Sequence, residues 1–112
     1  MKTDLYTVPP STTLGEAVSL MARHRIGSAL VMEGRRLVGI FTERDTVRAI
    51  SQSEDAPGHQ VTSWMTGDPV TIGPEVTVED ALKIMLSRGF RHLPVVEGGE
   101  VVGIVSMRDL AG

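Results

Sequence analysis

Apolar residues recur along this chain at two different periods, and the change from one period to the other divides it into elements. Leu14, Ala17, Val18 and Met21 fall at i, i+3, i+4 and i+7, the spacing of a helix buried along one side. Val78, Ala81, Leu82 and Met85 repeat that stripe. Thr13 with Glu16 and Thr77 with Asp80 stand at capping-box spacing, so the helices begin at Thr13 and Thr77. Two strand-like runs follow each helix. "SALVM" and "RLVGIF" turn at Gly34, and "LPVV" and "EVVGIV" turn around Gly98-Gly99. Short extended pieces, Thr7-Val8 and Thr71-Ile72, lead into Pro10 and Pro74, and a further helix starts after Thr42 and after Ser106. Each half therefore reads strand, helix, strand, strand, helix, an α/β arrangement.

The two halves are copies. Sliding the chain on itself by 64 residues lays Thr7–Arg48 on Thr71–Gly112 without a gap, and 13 of the 42 pairs are identical. Most others swap like for like, as Leu14 with Val78 or Thr42 with Ser106. An internal duplication of this kind predicts two repeats packed pseudo-symmetrically through their sheets, since one alone leaves a sheet face and helix flanks open. Repeat one covers 7–50, a connector 51–70 and repeat two 71–112, together one module over 1–112. Within the connector "SQSEDAPGHQ" is polar, with Pro57 and Gly58, and "VTSWMT" (61–66) reads as a short helix whose Trp64 packs on the body. Met1 falls opposite Met65 and Gly112 opposite Arg48, so both ends read as trimmed. Met21 and Met85 lie in the apolar stripes and belong to the core. Val47, Ala49 and Ile50 form a second stripe that hints at a dimer surface.

Composition narrows the chemistry. With 112 residues the chain makes one unit of useful core size, and 41% hydrophobic with 22% charged residues is ordinary for a globular protein. No apolar stretch approaches a membrane span and "MKTDLYTVPP" is not signal-like, so no membrane partner and a cytoplasmic location are expected. The absence of cysteine removes disulfides, thiolate catalysis and Cys-based metal sites. A net charge of −3 argues against a nucleic-acid partner, and Arg23-His24-Arg25 with Arg35-Arg36 read as a solvated edge without aromatics for base stacking. His24, His59 and His92 are too scattered for a metal cluster. No nucleophile–base pair, catalytic carboxylate pair or Walker-type loop can be identified, so binding rather than catalysis is expected.

The closing segments carry the candidate chemistry. Thr42 and Ser106 each sit where a strand gives way to a helix, so free backbone N–H groups and a positive helix end face an incoming phosphate. The aspartate three residues on, Asp45 or Asp109, can accept hydrogen bonds from two neighbouring ribose hydroxyls, and the glycine ahead of the motif leaves room for a flat base. The same spacing also makes a plain helix cap, as at Thr13 and Thr77. Arg44 and Arg108 beside the aspartates reach either a phosphate or a surface carboxylate.

"GIFTERD" (39–45) and "GIVSMRD" (103–109), preceded by "SLMARHRIGSALVMEGRRLVGI" and "KIMLSRGFRHLPVVEGGEVVGI", resemble a pair of cystathionine-β-synthase (CBS) repeats, a Bateman module. The resemblance covers nearly the whole chain. It implies a regulatory fold that needs no cofactor and binds an adenosine-containing ligand in clefts between paired repeats. AMP, ADP or ATP come first, with NAD-type nucleotides and S-adenosylmethionine as other ligands of the family. It also implies a homodimer and a fused or associated effector. The nucleotide-binding set it implies comprises Thr7, Val8, Thr42, Arg44 and Asp45 with Thr71, Ile72, Ser106, Arg108 and Asp109. Arg91 and His92 would face the phosphate held by Thr42 and Asp45, while their counterparts Gly27 and Ser28 would serve Ser106 and Asp109. The first cleft then has a permanent positive charge and the second a hydroxyl and room. The alternative is a ligand-free dimerisation module whose motifs are caps alone.

Overall fold

A computed structural model describes residues 3–111; Met1, Lys2 and Gly112, the outer limits of the expected module, lie outside the described residues. Two units are present, Tyr6–Asp68 and the chain from Pro69 onward with residues 3–5. The first holds β1 (Thr7–Val8), α1 (Leu14–His24), β2 (Ser28–Glu33), β3 (Arg36–Thr42) and α2 (Glu43–Gln52). Two turns of 3-10 helix, Ala56–Gly58 and Val61–Ser63, then lead to β4 (Thr66–Gly67). These strands form one sheet in the order β1-β2-β3-β4, with β1 parallel to β2 and the other pairs antiparallel. The second unit holds α3 (Val78–Arg88), β5 (His92–Glu97), β6 (Glu100–Ser106) and α4 (Met107–Ala111), with β5 and β6 antiparallel. The duplication persists in detail: a ladder irregularity falls between Val31 and Met32 and again between Val95 and Val96.

Local chemistry sets the helix ends. Thr13 accepts a hydrogen bond from the Glu16 amide and Glu16 bonds back to the Thr13 amide, a complete capping box at the start of α1. Thr77 accepts from the Asp80 amide at the start of α3. Arg25 ends α1 at φ 55° and Gly89 ends α3 at φ 74°, the left-handed turn that closes many helices. In the first unit Leu14, Ala17 and Met21 of α1 pack with Ala29 and Val31 of β2, Phe41 of β3 and Ala49 of α2. In the second, Ala81 and Met85 pack with Ile72, Leu93, Val95 and Val105. Both methionines are core residues, as the stripe predicts.

Four local expectations are corrected. The segment 51–60 does not begin as a connector: Ser51 and Gln52 finish α2, and further on Ala56 is fully buried in the first core. Of "VTSWMT" only Val61–Ser63 is helical, and Thr66 begins a strand; Trp64 does pack against the core. Thr71-Ile72 makes no strand but a single bridge from Ile72 to Val95. Proline explains the difference. The Leu30 amide donates to the Tyr6 carbonyl (3.1 Å) in the first unit, whereas its counterpart Pro94 has no N–H to give. The apolar stripes are narrower than expected. Val78 is 54% exposed although Leu14 is buried, and Ala56–Gly58 packs on the start of α1, with Pro57 against Gly15. On α2, Ala49 shares the inward face with Asp45 one turn earlier, leaving Val47 and Ile50 exposed.

Candidate functional site

In the first unit the ladder sets Ser28 opposite Thr42, and the Glu43 amide donates to the Gly27 carbonyl (3.1 Å). Gly27, Ser28, Thr42 and Asp45 are thereby gathered where β3 turns into α2. Thr42 is the N-cap, in extended conformation, with its hydroxyl accepting from the Asp45 amide at 3.3 Å. Asp45 reciprocates: its Oδ2 accepts from the Thr42 amide (2.9 Å) and the Thr42 hydroxyl (3.1 Å). Its Oδ1 lies 3.5 Å from Nη2 of Arg48, one turn further along α2. An aspartate only 7% exposed needs such partners, since a buried charge is costly unless paired. A carboxylate has about four lone-pair sites, so the box leaves Oδ1 with capacity for hydroxyl donors. Arg44, beside it, is exposed.

The second unit repeats the register with looser bonding. His92 pairs with Ser106, and the Met107 amide donates to the Arg91 carbonyl (2.8 Å). Ser106 accepts from the Asp109 amide (3.1 Å), but among the described residues no bond returns from the Asp109 carboxylate. Asp109, Arg108 and Arg91 are exposed. Thr7 and Thr71 are exposed, while the Val8 and Ile72 side chains are packed in the two cores, so those two can offer a ligand main-chain groups alone.

One expectation is overturned here. The glycine ahead of the first motif does not leave open room for a base: a Cβ built on Gly39 would run into the Met65 thioether. Pairing of Gly39 with Gly67 across β3 and β4 brings Met65 over that position.

Sequence reasoning also missed a chain of contacts behind Asp45. Arg48 donates from Nη2 to the Trp64 carbonyl (2.7 Å), and its guanidinium carbon sits 5.3 Å from the indole centroid. The indole N–H donates to Nδ1 of His59 (3.2 Å), and His59 Nε2 lies 3.4 Å from the Asp55 carboxylate. An Nδ1 that accepts requires the neutral ring to carry its proton on Nε2, facing Asp55. Hydrogen bonds from Ser53 and a backbone amide hold the Asp55 carboxyl below its ordinary value of 3.8. An arginine three residues after the motif aspartate was the available signal, but its second partner lies 16 residues away.

Comparison with known proteins bears on these features. The CBS domain family model matches residues 1–52 and 61–112. The CBS domain-containing protein YhcV of Bacillus subtilis is 38% identical over 112 residues, covering 99% of this chain and 79% of its own. An uncharacterized 17.7 kDa protein of Acidianus ambivalens is 46% identical over 112 residues, and the match takes in 97% of this chain and 66% of that protein. An inosine-5'-monophosphate dehydrogenase of Korarchaeum cryptofilum is 43% identical over 108 residues, 96% of this chain but 22% of that enzyme. Among solved structures, a CBS-domain containing protein of Agrobacterium tumefaciens superposes with a TM-score of 0.93 at 35% identity, covering 97% of this chain and 88% of that one. A CBS domain protein of Pyrobaculum aerophilum complexed with AMP superposes at 0.89 with 28% identity, covering 97% and 85%.

Proposed function

Because the chain belongs to the CBS-domain family, we propose that it is a regulatory module, not an enzyme, that binds an adenine nucleotide and signals to a fused or associated effector. The observation that carries this reading is the doubled Thr/Ser-x-x-Asp motif at a strand-to-helix junction, in a family with a member solved in complex with AMP. AMP, ADP or ATP is the favoured ligand and S-adenosylmethionine the next. Asp45 and Asp109 would accept the ribose hydroxyls, with Thr42 and Ser106 turned toward phosphate and the main chain at Thr7-Val8 and Thr71-Ile72 against the base. Following the resemblance, Arg91 and His92 would face the phosphate of the nucleotide held at Asp45, and Gly27 and Ser28 that of the one held at Asp109. Arg44 and Arg108 would flank the two sites. Binding would act as a signal by favouring one arrangement of the protein over another. A homodimer working in the cytoplasm belongs to this reading, with exposed Val47 and Ile50 on α2 and Val78 and Leu86 on α3 available for burial by a second copy.

The capping geometry at Asp45 equally suits a module that binds nothing, and ligand binding separates the two. A thermal-melt panel with adenosine, AMP, ADP, ATP, NAD and S-adenosylmethionine tests this on the wild type and on Asp45→Ala, Asp109→Ala and Arg91→Ala. A ligand at a hundred times its Kd stabilises by about 2.7 kcal/mol, a shift of several degrees in a domain of this size. We expect a nucleotide-specific shift that Asp45→Ala removes and that Arg91→Ala moves to about ten- to a hundredfold higher concentration. Melts that no ligand moves, with the aspartate variants merely less stable, establish the caps-only module.

A further inference from the structure

The Asp45 carboxylate and the segment after α2 meet in one side chain. Arg48 Nη2 is shared between the Trp64 carbonyl at 2.7 Å and Asp45 Oδ1 at 3.5 Å, while the guanidinium lies against the indole. Arg48 is about half exposed, whereas the Asp45 side chain is 10% exposed and fixed by Thr42. Beyond Trp64 the contacts continue through His59 to Asp55. All of these groups belong to the first unit.

We propose that Arg48 is a positioning residue for Asp45 and that occupation of Asp45 by a ribose diol is transmitted through Arg48 to the Trp64 indole. The inference rests on reading Asp45 as the ribose acceptor. Two hydroxyls donating to the carboxylate compete for the Oδ1 lone pairs that hold the guanidinium. Arg48 then shifts toward its other partners, the Trp64 carbonyl and the indole face, where a planar cation is attracted by the ring quadrupole. A changed charge beside an indole alters its emission, and Trp64 is the single tryptophan of the chain. Without Arg48 the carboxylate keeps its cap but loses the contact that orients Oδ1.

The test titrates AMP into the wild type, Arg48→Ala, Arg48→Lys and Asp45→Ala. Binding is followed by calorimetry and, separately, by Trp64 emission excited beyond the adenine band. In the wild type the emission change saturates with the calorimetric Kd. Arg48→Ala loses the emission change and binds AMP about two- to fivefold more weakly, the range for a half-exposed ion pair. Arg48→Lys keeps the charge without the planar fork and falls between. If Asp45→Ala abolishes AMP binding while wild-type emission stays flat, or Arg48→Ala binds as the wild type does, the role of Arg48 is overturned and the ribose assignment stands. If Asp45→Ala binds AMP as tightly as the wild type, the ribose assignment fails and takes the proposal with it.

Discussion

At the scale of single residues, identical letters in the two repeats occupy different environments. Asp45 and Asp109 are the same residue in the same motif, yet one is buried in a reciprocal cap and the other is exposed with half of it. The motif itself was legible because a capping box joins residues three apart. The burial was not, because it depends on what covers the helix. Gly39 makes the point more sharply. Its place ahead of the motif suggested room for a base, whereas the structure fills that room with Met65, a residue from β4's approach. Gly39→Ala should therefore displace the flexible end of Met65 and destabilise the protein by up to about 1 kcal/mol in denaturant titration, the low end of the cost of an added methyl in a filled space. Trimming Met65 to alanine in the same chain should recover part of that loss. A Gly39→Ala protein of unchanged stability would mean that the Met65 side chain gives way without cost.

Among the elements, period and caps carried most of the information. The stripes at Leu14 and Val78, the threonine caps and the glycine turns all depend on residues within about one helical turn, which a sequence displays directly. The failures came where an element needs a distant partner. β1 forms because Leu30 donates an amide, and its copy does not because Pro94 cannot; the copy's extended residues look no different in sequence. The α1 cap also yields a pH prediction. Hydrogen bonds from the Thr13 amide, then the Thr13 hydroxyl, hold the Glu16 carboxyl below its ordinary value of 4.5. A depressed folded value means that the cap's contribution is complete above the ordinary value and is lost as pH falls through the folded one. NMR titration of the Glu16 carboxyl should accordingly give a midpoint below 4.5, and Thr13→Ala should move it upward. A Glu16 midpoint at the ordinary value would mean that the reciprocal bond is not kept in solution.

For the molecule as a whole, the 64-residue register predicted two copies of one unit, and α1 with α3, β2 with β5, β3 with β6 and the ladder irregularities obey it, while β1 has no strand as its counterpart. The apolar surface is where the copies part. Val47 and Ile50, both on α2, are 70% and 55% exposed, and Leu86 on α3 is 72% exposed. If a second copy covers α2, Val47→Glu with Ile50→Glu should shift the protein from dimer to monomer in sedimentation while its melting profile stays cooperative. A wild type that sediments as a monomer would remove the homodimer. The sequence alone determined the duplication, the helix, strand, strand, helix order within each copy and the caps, because each is written in short-range spacing or in similarity between the halves. Tertiary structure alone decided that Ala56 and Trp64 join the first core, that Met65 fills the space at Gly39 and that Arg48 links Asp45 to Trp64. Those contacts join residues far apart in the chain, and their strength depends on which surfaces water can still reach.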